Sequence, residues 1–247
     1  MNKFFKRASA GLLAAIFAAT TFTADVPTAQ AFKLGDIADG LGDIIGIGGK
    51  GGKSGDLTSS RDKMLENYYY SIALLDAAYQ NVLTATDAGI ANKNIISTEQ
   101  AAKSAVKSND AGTNMKNGAD QKRQQAEAAK KALADAVASG DEEKLKQIDE
   151  FIKTANNQRL TSNVMAGVAS AQAGMIIASS AKNIATGNFD NLGDILNVAK
   201  DVEGVLKLRN EAAKLLDTAT KEYRKTRGIK DPGKKEQKAA ADAIEKG

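Results

Sequence analysis

Apolar residues recur at steps of three and four along most of the chain, the spacing that gathers them on one face of an α-helix. Leu65, Tyr68, Ile72, Leu75, Tyr79, Val82 and Thr86 form the first such stripe, and Thr58 or Ser59 is placed to cap its helix. Gly89 and Asn92-Lys93-Asn94 interrupt it; helical character resumes at Ser97, with Glu99 and Lys103 as an i,i+4 pair. Asn109 to Gly118, with Gly112, Asn114 and Asn117, reads as a turn or a frayed helix end. Ala119 to Ser139 predicts a very polar helix whose inner face is mostly alanine: Ala119, Ala126, Ala129, Leu133 and Val137. Ser139-Gly140-Asp141 ends that helix and caps the next, which opens on the acids Glu142 and Glu143. Leu145, Ile148, Ile152 and Ala155 mark its buried face, and Glu142–Lys146 and Asp149–Lys153 its outer one. After Gly187-Asn188, Asp190 or Asn191 caps a last long helix to about Arg227. Its stripe is Leu192, Ile195, Ala199, Val202, Leu206, Arg209, Ala212, Leu216, Ala219 and Tyr223, with Glu203–Lys207 and Asp217–Lys221 pairs along it. Gly228 and Asp231-Pro232-Gly233 stop it, and Lys234 to Gly247 is an Ala/Lys/Glu tail with the composition of a short helix.

One stretch departs from this amphipathic pattern. Leu160 to Ala181 holds 22 residues without an acid or base, about 33 Å of helix. Gly167, Ala171, Gly174 and Ala178 put small side chains on one of its faces, with Met165, Val168, Met175 and Ile176 toward others. A helix with no charged face is enclosed either by other helices or by lipid. Thr161, Ser162, Asn163, Ser170, Gln172, Ser179 and Ser180 make lipid the less favoured surrounding, since spanning helices carry more Leu, Ile and Phe.

The N-terminus follows a different logic. Lys3, Lys6 and Arg7 precede a short apolar core, Gly11 to Ala18, and Ala29-Gln30-Ala31 fits a small-x-small cleavage site; the pattern predicts an export signal removed after Ala31. Phe32, Leu34, Ile37, Leu41 and Ile44 then form a weak amphipathic segment broken by Gly35, Gly40 and Gly42. Gly48 to Gly55 is a Gly-rich linker; its Gly52-Lys53-Ser54 resembles the end of a phosphate loop, but Ile47 stands where the motif needs its first Gly. Leu-Gly-Asp-Ile occurs at 34, 41 and 192 with no longer repeat around it.

Composition narrows the chemistry. The chain carries 34 bases and 30 acids; loss of three bases and one acid with the signal leaves 31 against 29, too balanced for a general nucleic-acid binder. Cysteine is absent, so an exported chain of this kind is stabilised by packing and not by disulfides. With no His either, the usual general base, thiol nucleophile and soft metal ligands are missing. Glu142, Glu143, Asp149 and Glu150 cluster in sequence, yet beside paired lysines they read as a solvated helix start. No calcium-loop pattern occurs. Tyr68-Tyr69-Tyr70 is the densest aromatic cluster; consecutive helical residues point about 100° apart, so all three cannot enter one core. Lys221 to Lys235 holds seven bases and two acids, with Arg224, Lys225 and Arg227 at its centre, a candidate surface for an anionic partner.

The expectation is therefore an all-α protein: an elongated antiparallel helical bundle of about four long helices. The signal is expected over 1–31, the amphipathic segment and linker over 32–56, the bundle over 57–228 and a polar tail over 229–247. Its expected role is that of an exported, non-enzymatic interaction protein of the bacterial cell envelope, periplasmic or extracellular, without cofactor or metal. Partners would be a protein or a second copy, with the membrane surface as a further possibility and no nucleic acid or small-molecule substrate. The candidate interaction surface is Phe32, Leu34, Ile37, Leu41, Ile44, Tyr68, Tyr69, Tyr70, Arg224, Lys225 and Arg227. The competing expectation is a secreted, pore-forming-like protein that uses the uncharged helix over 160–181.

Overall fold

Helix α1 (Gly55–Ala85) opens the part of the chain described by the computed structural model, which covers residues 55–87, 90, 93–105, 111–185 and 192–246. It is followed by α2 (Thr98–Ala105), α3 (Ala111–Asn117), α4 (Ala119–Ser139), α5 (Glu142–Ala185), α6 (Leu192–Thr226) and α7 (Lys234–Lys246). No strand occurs among the described residues, so the chain is all-α there. The amphipathic segment with Phe32, Leu34, Ile37, Leu41 and Ile44, the export signal and the linker to Ser54 lie outside the described residues.

The helix ends follow the local chemistry. Ser97 and Gln100 form a reciprocal cap at α2: the Gln100 amide donates to Ser97 Oγ at 3.1 Å and the Ser97 amide to Gln100 Oε1 at 2.9 Å. Gly140 closes α4 in the left-handed region, at φ 68°, and Asp141 Oδ1 accepts the Lys144 amide at 3.1 Å to start α5. Gly228, at φ 65°, follows the end of α6. The stretch around Gly112 is not a turn but the short helix α3. It is seated by buried Met115 and by Gly112, whose missing side chain makes room for the Tyr68 hydroxyl.

Side-chain contacts fix the helix directions. Asn81 meets Gln158 and Asn67 meets Gln172, so α5 runs antiparallel to α1. Arg209 meets Asn163, Tyr223 meets Asp149 and Arg227 meets Glu142, so α6 runs antiparallel to α5. Tyr79 on α1 donates to the Ala212 carbonyl of α6 at 2.8 Å. Helix α4 packs mainly on α6, α2 on α1, and α7 on α5.

Most predicted stripes are buried. Tyr68, Ile72, Leu75, Tyr79 and Val82 enter the main cluster with Leu145, Ile148, Ile152 and Ala155, and with Ile195, Ala199, Val202, Leu206, Ala212, Leu216, Ala219 and Tyr223. The alanine face of α4 joins through Ala126, Ala129 and Leu133. A second cluster gathers Tyr70, Leu74, Ala77, Ala101, Ala105, Met165 and Ala241, so α1 buries two sides. The expected surface pairs rearrange: Lys153 binds Glu150 at 2.7 Å, and Asp149 and Glu142 turn to Arg227. Tertiary contacts with a rigid guanidinium fork displace weak i,i+4 pairs.

Candidate functional site

The uncharged half of α5 is two-sided. Met165, Ala166, Val168, Ala169, Ala173 and Ile176 face the interior. Gly167 and Ala171 are half-exposed, and Ser170, Gly174 and Ala178 are exposed. The small-residue face is thus not the core face, which corrects the bundle-core assignment for Gly167, Ala171, Gly174 and Ala178. The physical reason is volume: a core is filled by Met, Val and Ile, whereas a strip of Gly, Ala and Ser offers little area to bury. A Cβ added at Gly167 or Gly174 would meet nothing within 4 Å.

Several polar groups of this helix are held by specific partners, although Ser180 Oγ is buried without one. Ser162 Oγ donates to the Ser71 carbonyl and accepts from Arg209. Gln172 accepts from Asn67 at 3.4 Å. Asn81 and Gln158 together clamp the backbone of Ile96: Asn81 Oδ1 accepts its amide at 2.9 Å, and its carbonyl accepts from Asn81 at 2.9 Å and from Gln158 at 2.8 Å. Buried amides satisfied in this way fix helix register, because a slip would orphan them.

Three arginines lie within this seam. Arg209 is 1% exposed; it donates to Asn163 at 2.7 Å, to Asn210 at 2.8 Å and to Ser162, while its Nε has no partner. Burial, reinforced by nearby Arg159, pulls its pKa down to about 9, which leaves it charged at neutral pH. Arg159 lies 2.9 Å from Asp217 and from Asn156; burial is the main influence, pulling its pKa down. Arg224 reaches Asp217 at 2.5 Å and also Asp231, and Asn156 donates to Asp231 at 2.9 Å. Sequence reading missed this seam. The available signal was Arg209 on an apolar stripe between Leu206 and Ala212, and the run Asn156, Gln158, Arg159, Thr161, Ser162, Asn163 on one helix.

The candidate surface residues divide. Tyr68 lies in the main cluster and Tyr70 in the second, with Tyr69 half-buried against both. That takes Tyr68 and Tyr70 out of any surface, since α1 has neighbours on both sides. Burial, then Tyr69 and Asp201, pushes the Tyr68 phenol pKa up; burial and then Asp76 does the same at Tyr79. Arg224 is buried, contrary to a surface role, because its helical position points it at Asp217 and Asp231. Arg227 is held by Glu142 and Asp149, each at 3.0 Å, and Lys225 is exposed. Two bases of the run, Arg224 and Arg227, are thus neutralised by facing acids. Among the described residues, no three acidic side chains gather as a metal site.

Between α2 and α7 lies a cavity of about 890 Å³. Its lining includes Tyr70, Ala102, Thr161, Ala240 and Ile244, with Lys103 bound to Glu99 at 2.6 Å on the α2 side. Comparison with known proteins finds no matching family model, and neither a curated protein nor a solved structure matches the chain.

Proposed function

We propose that the chain is an exported, non-enzymatic interaction protein of the bacterial cell envelope, adaptor, chaperone-like or structural in role. In this reading its long helices form an antiparallel bundle that presents a helical face to a protein partner or a second copy. The observation that carries it is the uncharged outer side of α5, with Ser170, Gly174 and Ala178 exposed and Gly167 and Ala171 partly exposed, on a helix whose opposite side is buried. Short side chains let a second helix approach near the close end of the usual 8–10 Å interaxial range, roughly 8 Å. Gly174→Lys tests it, because nothing lies within 4 Å of an added Cβ there. Sedimentation should show concentration-dependent association of wild type and none for Gly174→Lys, with a thermal unfolding temperature no lower than that of wild type. Monomeric wild type that also yields no cross-link to envelope proteins from a photoreactive residue at position 174 overturns the reading. Export is checked separately: secretion in a bacterial host should give a mature N-terminus at Phe32.

A second reading has one observation in its favour. The segment Glu142–Ser180 is the one candidate membrane span among the described residues, with a window of mean hydropathy 1.2 that is 56% buried. In this reading the protein releases α5 into a bilayer. The hydrogen bonds of Ser162 and Gln172 to α1 oppose it, since they would be lost on release. Flotation and dye release with anionic liposomes separate the two. Release by folded wild type, abolished in a still-helical Ala171→Asp variant, favours the membrane reading; absence of binding removes it.

A further inference from the structure

Helix α7 is attached differently from the rest. Among its described side chains, Gln237 and Ala241 are buried and Ala240, Asp242 and Ile244 are half-buried, while the others are exposed. The cavity of about 890 Å³ borders it through Ala240, Ala243 and Ile244, so one flank of the helix rests on little. Its tether is polar and concentrated at its start. Asp231 is gripped by Arg224 and by Asn156, Gln237 donates to the Pro232 carbonyl at 2.8 Å, and Glu236 caps the Gly233 amide at 2.9 Å. Of these side-chain contacts, only those of Asp231 tie the connection to the helices before it; Ile229 at its start packs against the main cluster and donates its amide to the Arg224 carbonyl at 2.9 Å. The connection itself, 229–233, is non-helical and follows Gly228 at φ 65°.

We propose that α7 is a releasable strap, latched by Asp231, which leaves its seat while α1, α5 and α6 stay folded. A helix of 13 residues has little stability of its own, and local opening belongs to elements with few apolar contacts. The latch leaves each partner one of its contacts, while Asn156 Nδ2 and Arg224 Nη1 exchange Asp231 for the water that enters. Arg224 keeps Asp217 at 2.5 Å, and Asn156 keeps Arg159 at 2.9 Å. Opening uncovers the side of the second apolar cluster around Tyr70, Leu74 and Met165 that Ala241 joins. The opening is a property of this chain alone and does not depend on which partner reading holds.

The chain has no cysteine, so single introduced thiols report opening cleanly. In the full chain, Ala241→Cys on α7 is compared with Ala78→Cys, which sits in the main cluster at 0% exposure. Under native conditions the thiol at 241 should be labelled about 100-fold faster than the one at 78, as expected for sub-global against global opening. Asp231→Asn should speed labelling at 241 by about tenfold, through loss of a charge-assisted bond, and leave the rate at 78 unchanged. Hydrogen exchange of the wild type provides a second measurement without any substitution, with the α7 amides exchanging as a block ahead of those of α1. Equal labelling at both thiols, equal acceleration of both by Asp231→Asn, or α7 amides as protected as those of α1 overturns the strap. So does labelling at 241 at the rate of an unfolded peptide, which would mean that α7 is not seated at all.

Discussion

Gly112 and Tyr68 show how closely single residues are fitted. An added Cβ at Gly112 would fall on the Tyr68 hydroxyl, with the Val205 side chain 3.5 Å away. Gly112→Ala should therefore lower stability by about 1–3 kcal/mol, the usual cost of overpacking. Tyr68→Phe in the same chain should recover most of that loss, a coupling that a urea-denaturation double-mutant cycle measures directly. The arginine seam has the opposite character. Arg209 is buried without a carboxylate within salt-bridge distance among the described residues. Arg209→Met removes this buried charge but takes a donor from Asn163 and Ser162, two effects of opposite sign, so stability should change by less than about 1 kcal/mol. Asp217 is the common partner of Arg159 and Arg224, and Asp217→Asn leaves both with less compensation. A loss of about 3 kcal/mol is expected, tempered by the solvent that reaches Asp217.

At the scale of elements, two glycines with equal free space should respond with opposite signs. Neither Gly140 nor Gly174 has an atom within 4 Å of an added Cβ. Gly140 ends α4 at φ 68°, a conformation that costs an L side chain about 1 kcal/mol or more, so Gly140→Ala should destabilise. Gly174 lies inside α5, where Ala is the better helix former by about 1 kcal/mol, so Gly174→Ala should stabilise. Chemical denaturation of the two variants reads both signs, and equal signs would contradict the helix boundary between α4 and α5. The elements themselves were largely legible. The α6 stripe from Ile195 to Tyr223 is buried at every predicted position, and the α4 boundaries match the sequence reading. Helix α3 was not legible because its helicity comes from tertiary seating: Met115 and the Gly112–Tyr68 approach outweigh a composition that favours a turn. The docking of α7 was hidden for the same reason, since Gln237 and Ala241 give no apolar stripe.

For the whole molecule, the buried phenols set the alkaline limit. Burial is the largest cause of the raised pKa at Tyr68, Tyr79 and Tyr223, and at Tyr223 the hydrogen bond to Asp149 adds to it. A group whose folded pKa is raised binds its proton more tightly in the native state. Its stabilisation is complete below the unfolded value, about 10 for tyrosine, and is lost as pH rises through and beyond it. The urea midpoint should accordingly fall between pH 9.5 and 11.5, about the range in which an unfolded phenol ionises. Tyr79→Phe should make that fall shallower. A midpoint independent of pH across this range would show that the phenols are not buried in solution.

Sequence by itself determined what depends on neighbours along the chain. Period and caps settled the all-α class, the alanine face of α4 and the stripes of α1, α5 and α6, because helical spacing places side chains without reference to the rest of the fold. Only the tertiary structure decided which side of an uncharged helix is covered, since Leu160–Ala181 carries no charged face to mark an outside. It also decided which charges are interior. Arg159 and Arg224 look like surface bases in sequence, while Arg209 stands on an apolar stripe with no partner in view; their burial follows only when α5 and α6 align Ser162, Asn163 and Asp217 against them. Those contacts join residues 46 and 47 positions apart at Arg209, a separation that no local pattern encodes.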